Sequence, residues 1–89
     1  MVDVSREWNI VIAPIAEKRI AKIPDPDRRR ILGAIGALYS GLTGDIKPLK
    51  GRGEWRLRVG GWRVLMDIDI PARLILVKYV DSRGDIYKK

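Results

Sequence analysis

The chain has 89 residues, 46% of them apolar and 33% charged, a composition that fits one small globular domain and excludes a disordered or fibrous chain. It contains no cysteine and no histidine, which removes disulfides, thiolate and imidazole metal ligands, thiol nucleophiles and the commonest general base; any chemistry must run on Arg, Lys, Tyr and carboxylates. A formal net charge of +7 favours an anionic partner such as nucleic acid, a membrane surface or an acidic protein.

The opening Met1 to Trp8 lacks the basic start, the apolar stretch and the small-residue cleavage site of an export signal, and no later run approaches a membrane span. The expected location is the cytoplasm, with no membrane partner. Trp8 to Ala13 reads as a short, largely covered strand. Pro14 then opens a helix whose Ala16, Ile20 and Ile23 recur at helical spacing, with Glu17 near the start and Lys22 near the end in the order the helix dipole favours. Pro24 ends it. A second helix is predicted with Asp25 as N-cap and Pro26 at its first position; Ile31, Ile35, Leu38 and Leu42 run down one face, and Gly41 and Gly44 close it. Gly33 and Gly36 weaken this helix, and close packing against a neighbouring element would explain them.

Thr43 to Gly53 reads as a basic loop. Between Ile46 and Met66 the chain sets Lys47, Lys50, Arg52, Arg56, Arg58 and Arg63 against the single acid Glu54, so the basicity is concentrated. Trp55, Leu57 and Val59 alternate with Arg56 and Arg58, and Trp62, Val64, Met66, Ile68 and Ile70 alternate with Arg63, Leu65, Asp67 and Asp69. A two-residue turn of the primed kind at Gly60-Gly61 would place Val59 opposite Trp62, Arg58 opposite Arg63 and Leu57 opposite Val64. Facing guanidinium groups repel, so the pair makes sense where an anion comes between them. Trp55 and Trp62 share the parity of the apolar residues and belong to the core. Asp67 and Asp69 balance nearby arginines, and no metal or other cofactor is expected. After a turn at Pro71-Ala72, Leu74 to Val80 reads as a central strand, followed by a short polar tail. The order strand, helix, helix, strand, strand, strand describes an α+β domain: one antiparallel layer of about four strands packed on two N-terminal helices.

Three segments taken together, Lys47-Pro48-Leu49-Lys50-Gly51, Trp55 through Val64, and Val80-Asp81-Ser82-Arg83-Gly84-Asp85-Ile86-Tyr87, resemble the RelE/ParE superfamily of bacterial and archaeal toxins from toxin–antitoxin pairs. The resemblance spans nearly the whole chain and makes residues 1–89 a single toxin domain of order β-α-α-β-β-β. In the RelE branch it implies a toxin that enters the ribosomal A site and cuts mRNA as an endoribonuclease, leaving a 2′,3′-cyclic phosphate and a 5′-hydroxyl. A cognate RelB-like antitoxin would cover that surface. Residue by residue, Arg63 matches the arginine that contacts the scissile phosphate, Arg83 the arginine that stabilises the transition state, and Tyr87 the aromatic on which an mRNA base stacks. Lys47, Lys50 and Arg52 are the expected RNA-backbone contacts, acting through charge alone.

Arg56 and Arg58 match two basic positions that are lysines in well-known RelE members. An arginine does not give up its proton, so it cannot take one from a 2′-hydroxyl, and the general base is unassigned. Either several guanidiniums catalyse by positioning and charge stabilisation, or cleavage is slow or absent. The second case corresponds to a ParE-type toxin that inhibits DNA gyrase without cutting RNA. A third, weaker reading is a nucleic-acid-binding module that changes no covalent bond.

Overall fold

The computed structural model describes residues 7–49 and 53–82. Its elements are β1 (Asn9–Ile12), α1 (Pro14–Ala21), α2 (Asp27–Ala37), β2 (Asp45–Pro48), β3 (Glu54–Val59), β4 (Trp62–Asp69) and β5 (Leu74–Ser82). The strands form one five-stranded sheet in the order β1-β5-β4-β3-β2. The α+β class and the two N-terminal helices agree with the sequence; the strand count and the all-antiparallel layer do not. β2 is an additional edge strand inside the expected loop, and β1 runs parallel to β5, with Asn9 beside Leu74 and Ile12 beside Val77. β5 is interior, as its apolar run predicts.

The core is the contact between the helices and one face of the sheet. Ala16 and Ile20 of α1, Ile23, and Ile31, Ile35 and Leu38 along α2 are buried against Leu57, Val64, Met66, Ile75, Val77 and Val80. Trp55, Val59 and Trp62 pack at its rim, so both hairpin tryptophans are structural. Pro14 sits in the first turn of α1, where its missing amide costs no hydrogen bond. α2 opens later than its predicted cap. Asp25 makes no cap: the carbonyls of Pro24 and Pro26 take the amides of Arg28 and Arg30, while the Asp25 carboxylate is drawn to the guanidiniums of Arg28 at 3.3 Å and Arg29 at 3.6 Å. Close packing does not explain Gly33 and Gly36 either. Both are exposed, and a Cβ added at either would meet no heavy atom within 4 Å outside the helix's own backbone.

The β3–β4 hairpin has the predicted register, with Val59 opposite Trp62, Arg58 opposite Arg63 and Leu57 opposite Val64. Gly60 has φ 61° and Gly61 does not have a positive φ, the pattern of a type II′ turn. Between β4 and β5 the register slips: Leu65 faces Tyr79 but Met66 faces Val77, so Lys78 is one residue too many on β5. This bulge lets Val77 and Val80, three residues apart, both point into the core.

β1 ends at Ile12, just before α1 begins at Pro14, and leaves the far end of β5 as a sheet edge. Arg19 of α1 closes it. Its Nε donates to the Val80 carbonyl at 3.2 Å, and its guanidinium lies 6.0 Å from the Trp62 ring centroid. Trp62 in turn donates its indole N–H to Asp27 at the start of α2, at 3.0 Å. Both helices are thereby tied to the hairpin by polar as well as apolar contacts.

The glycines separate cleanly in sign. Gly33→Ala and Gly36→Ala are each expected to stabilise the fold by about 0.5–1 kcal/mol, because alanine suits a helix and nothing obstructs it. Gly60→Ala should cost about 1–2 kcal/mol by placing a Cβ in the left-handed region. Urea unfolding midpoints of the three variants check this.

Candidate functional site

The sheet face away from the helices carries every second residue of the hairpin, and side chains directly opposite each other there lie about 5 Å apart. One cross-strand row reads Asp81, Arg63, Arg58, Asp45 from β5 to β2. The next reads Tyr79, Leu65, Arg56, Lys47. A further row, towards the other end of the hairpin, brings Leu76, Asp67 and Glu54 together. The face is thus basic near the Gly60-Gly61 turn and acidic at the far end.

Each end holds a pair of facing like charges, and the two are resolved differently. The acidic pair, Glu54 and Asp67, is bridged by Lys78, whose ammonium reaches the Glu54 carboxylate and lies 3.4 Å from Asp67 Oδ1. The bulge supplies that cation. Its hydrogen bond to Glu54 raises the Lys78 pKa, with Asp67 adding to the effect and desolvation opposing it. Lys78 is therefore held protonated and is unsuited to act as a general base near neutral pH. Outside this face, the Tyr39 hydroxyl donates to Glu7 at 2.7 Å, which raises its pKa in the same way.

The basic pair is less well compensated. Arg58 donates its Nε to Asp45 Oδ2 at 3.1 Å; with side chains 43% and 50% exposed, such a pair is worth about 0–1 kcal/mol. Arg63 faces Asp81 in register, yet the Asp81 carboxylate takes the Ser82 amide at 2.9 Å and lies 3.9 Å from Arg19. Among the described residues, Arg63 Nε is buried with no hydrogen-bond partner. An unsatisfied buried donor costs about 1–3 kcal/mol, and a like-charged neighbour adds to that cost. Asp69, also on this face, accepts the Ala72 amide at 3.1 Å, and the cation that meets Asp67 is Lys78. Among the described residues no group of three acidic side chains is placed to hold a metal ion, and no helix is long and apolar enough to cross a membrane.

No family model matches the chain, and no curated protein matches it in sequence. Solved structures do. The chain is similar to the archaeal RelE–RelB complex from Pyrococcus horikoshii OT3, with 22% identity, a TM-score of 0.76 and coverage of 88% of this chain and 97% of that one. It is similar to the RelB–RelE antitoxin–toxin complex from Methanococcus jannaschii at 26% identity and a TM-score of 0.71, covering 88% of this chain and 95% of that one. The isolated RelE toxin of E. coli, at 15% identity, gives a TM-score of 0.71 over 91% of this chain and 92% of its own, which assigns the likeness to the toxin rather than to its partner. The chain has the RelE toxin fold.

On this RelE fold the sequence-derived site residues divide into those the sheet brings together and those beyond the described residues. Arg56, Arg58 and Arg63 share the basic end of the open face, with Lys47 opposite Arg56. Lys50, Arg52, Arg83 and Tyr87 lie outside the described residues. Four residues escaped the sequence reading. Asp45 belongs to a strand signalled by one apolar residue, Ile46, which pairs with Leu57. Asp81, Lys78 and Tyr79 depend on the bulge, which alternation alone does not announce. Tyr79 is half-buried and lines a shallow cavity of about 210 Å³ with Ile15, Lys18 and Arg19 of α1 and Lys22 just after it, extending the basic surface past the edge of β5.

Lys78 gives this face a pH signature. Because its pKa is raised on folding, its stabilisation is complete below the ordinary lysine value of 10.5 and is lost as pH rises through the folded value. The difference in urea midpoint between wild type and Lys78→Gln should be constant from about pH 6 to 9 and shrink at higher pH.

Proposed function

We propose that this chain is the toxin of a toxin–antitoxin pair, held inactive by a RelB-like antitoxin, and that it acts as a ribosome-dependent mRNA endonuclease. Arg63 supports this reading best: a buried guanidinium nitrogen without a partner among the described residues, facing a second arginine on the open side of a RelE fold. A phosphate between Arg58 and Arg63 would turn their repulsion into two charge-assisted hydrogen-bonding interactions.

The reaction is an internal transesterification. The ribose 2′-oxygen attacks the adjacent phosphorus, the bond to the 5′-oxygen breaks, and a 2′,3′-cyclic phosphate and a 5′-hydroxyl result. Negative charge accumulates on the phosphoryl oxygens as the pentacovalent species forms, and fixed guanidiniums stabilise that charge more than they stabilise the substrate. Arg63 and Arg58 hold the phosphate, and Arg56 with Lys47 holds the neighbouring backbone. The family resemblance adds Arg83 at the leaving oxygen and Tyr87 as the stacking platform. Lys47, Lys50 and Arg52 supply long-range attraction.

The substitution of arginines for lysines at positions 56 and 58 favours the second reading, a ParE-type inhibitor of gyrase, and one experiment separates the two. In a reconstituted translation reaction followed by primer extension, wild-type protein should cut mRNA within A-site codons only when ribosomes are present. Arg63→Ala and Arg83→Ala should each slow cutting by about 100-fold or more while still binding the antitoxin. A folded protein that arrests growth without cutting, and that inhibits purified gyrase, would replace the nuclease reading with the ParE type.

A further inference from the structure

The arginines of the basic face can hold a phosphate but cannot accept the 2′-hydroxyl proton, and Lys78 is held protonated at the far end. A carboxylate on the same face can take it. Asp81 is occupied by the Ser82 amide and Arg19 and is only 27% exposed. Glu54 and Asp67 share Lys78, and Asp69 caps the Ala72 amide. Asp45 differs from all of these: it lies in the arginine row, is 50% exposed, and among the described residues accepts a hydrogen bond from Arg58.

The contact between them has a specific chemical consequence. Asp45 takes the Nε of Arg58 at 3.1 Å, and Arg58 in turn lies opposite Arg63 across the hairpin. One guanidinium thus joins a carboxylate to the arginine pair that holds the phosphate in the nuclease reading. We propose that Asp45 is the general base of the cleavage reaction, resting on the nuclease reading above. Its carboxylate removes the 2′-hydroxyl proton as the 2′-oxygen bonds to phosphorus; the electron pair of the breaking bond leaves on the 5′-oxygen, which is protonated from solvent or a neighbouring donor. Arg58 lies opposite Asp45, with Arg63 beyond it in the same row and Lys47 and Arg56 in the next.

Single-turnover cleavage on programmed ribosomes between pH 6 and 9 tests this with wild type, Asp45→Asn and Asp45→Glu. Wild type should be nearly flat over this range. Asp45→Asn should be slower by about 100-fold or more at pH 7 and should gain roughly tenfold per pH unit as hydroxide replaces the base. Asp45→Glu should recover part of the rate. A substrate with a bridging 5′-sulfur, which needs no leaving-group protonation, should leave the Asp45→Asn defect in place. The proposal is overturned if Asp45→Asn cuts within about threefold of wild type, if its pH profile stays parallel to wild type, or if the sulfur substrate restores its rate. Wild type that cuts nothing would overturn the nuclease reading itself, a separate and visible outcome. Melting temperature and antitoxin binding of each variant register a folding defect, and in that case the Asp45→Glu profile decides.

Discussion

The two-residue turn at Gly60-Gly61 fixes the register of β3 against β4, and because side chains alternate with period two, that register decides the face of every residue in the hairpin. A slip of one residue would turn Leu57, Val64 and Met66 to solvent and drive Arg56, Arg58 and Arg63 into the core. Core and site are therefore two readings of one pairing. The buried face enforces the register, because each wholly buried aliphatic side chain contributes about 1.5–3 kcal/mol, and the exposed face inherits the arrangement. That is how the fold can hold two arginines against each other.

The contrast between the two like-charge pairs carries the functional argument. At the acidic end the repulsion between Glu54 and Asp67 is met inside the molecule by Lys78. At the basic end Asp45 engages one guanidinium through an exposed contact, and Arg63 keeps a buried nitrogen without a partner among the described residues. Stability alone would favour treating both ends alike. The asymmetry underlies the proposed contact with a polyanion, and it lies on a RelE toxin fold.

What could be read from the sequence depended on whether the signal was local. Alternation plus a Gly-Gly turn specified the hairpin, its register and the face of its arginines, and Pro14 marked the start of α1. The second helix was harder. Asp25 has the chemistry of a cap, but nearby prolyl carbonyls satisfy the amides and nearby guanidiniums take the carboxylate, a competition that composition does not rank. β2 is four residues with one apolar side chain and a terminal proline; it is a strand because β3 offers an edge, a tertiary cause. The parallel seat of β1 is likewise set by the whole chain and not by Asn9–Ile12. Asp45 stayed hidden because it sits in that unannounced strand, whereas Arg83 and Tyr87 were legible through resemblance alone and lie beyond the described residues.

The bulge at Lys78 acts on the strand as an inserted letter acts on a phased text. Without it, the alternation begun at Ile75 and Val77 would carry Tyr79 and Asp81 inward and turn Val80 out. With it, the phase resets: Val80 closes the core while Tyr79 and Asp81 line up with Leu65 and Arg63. One surplus residue thus chooses the side of the sheet to which the last turns of β5 deliver their chemistry. Lineages sharing this scaffold could gain or lose that residue and so exchange the function of an entire strand end, leaving the hairpin beside it unchanged.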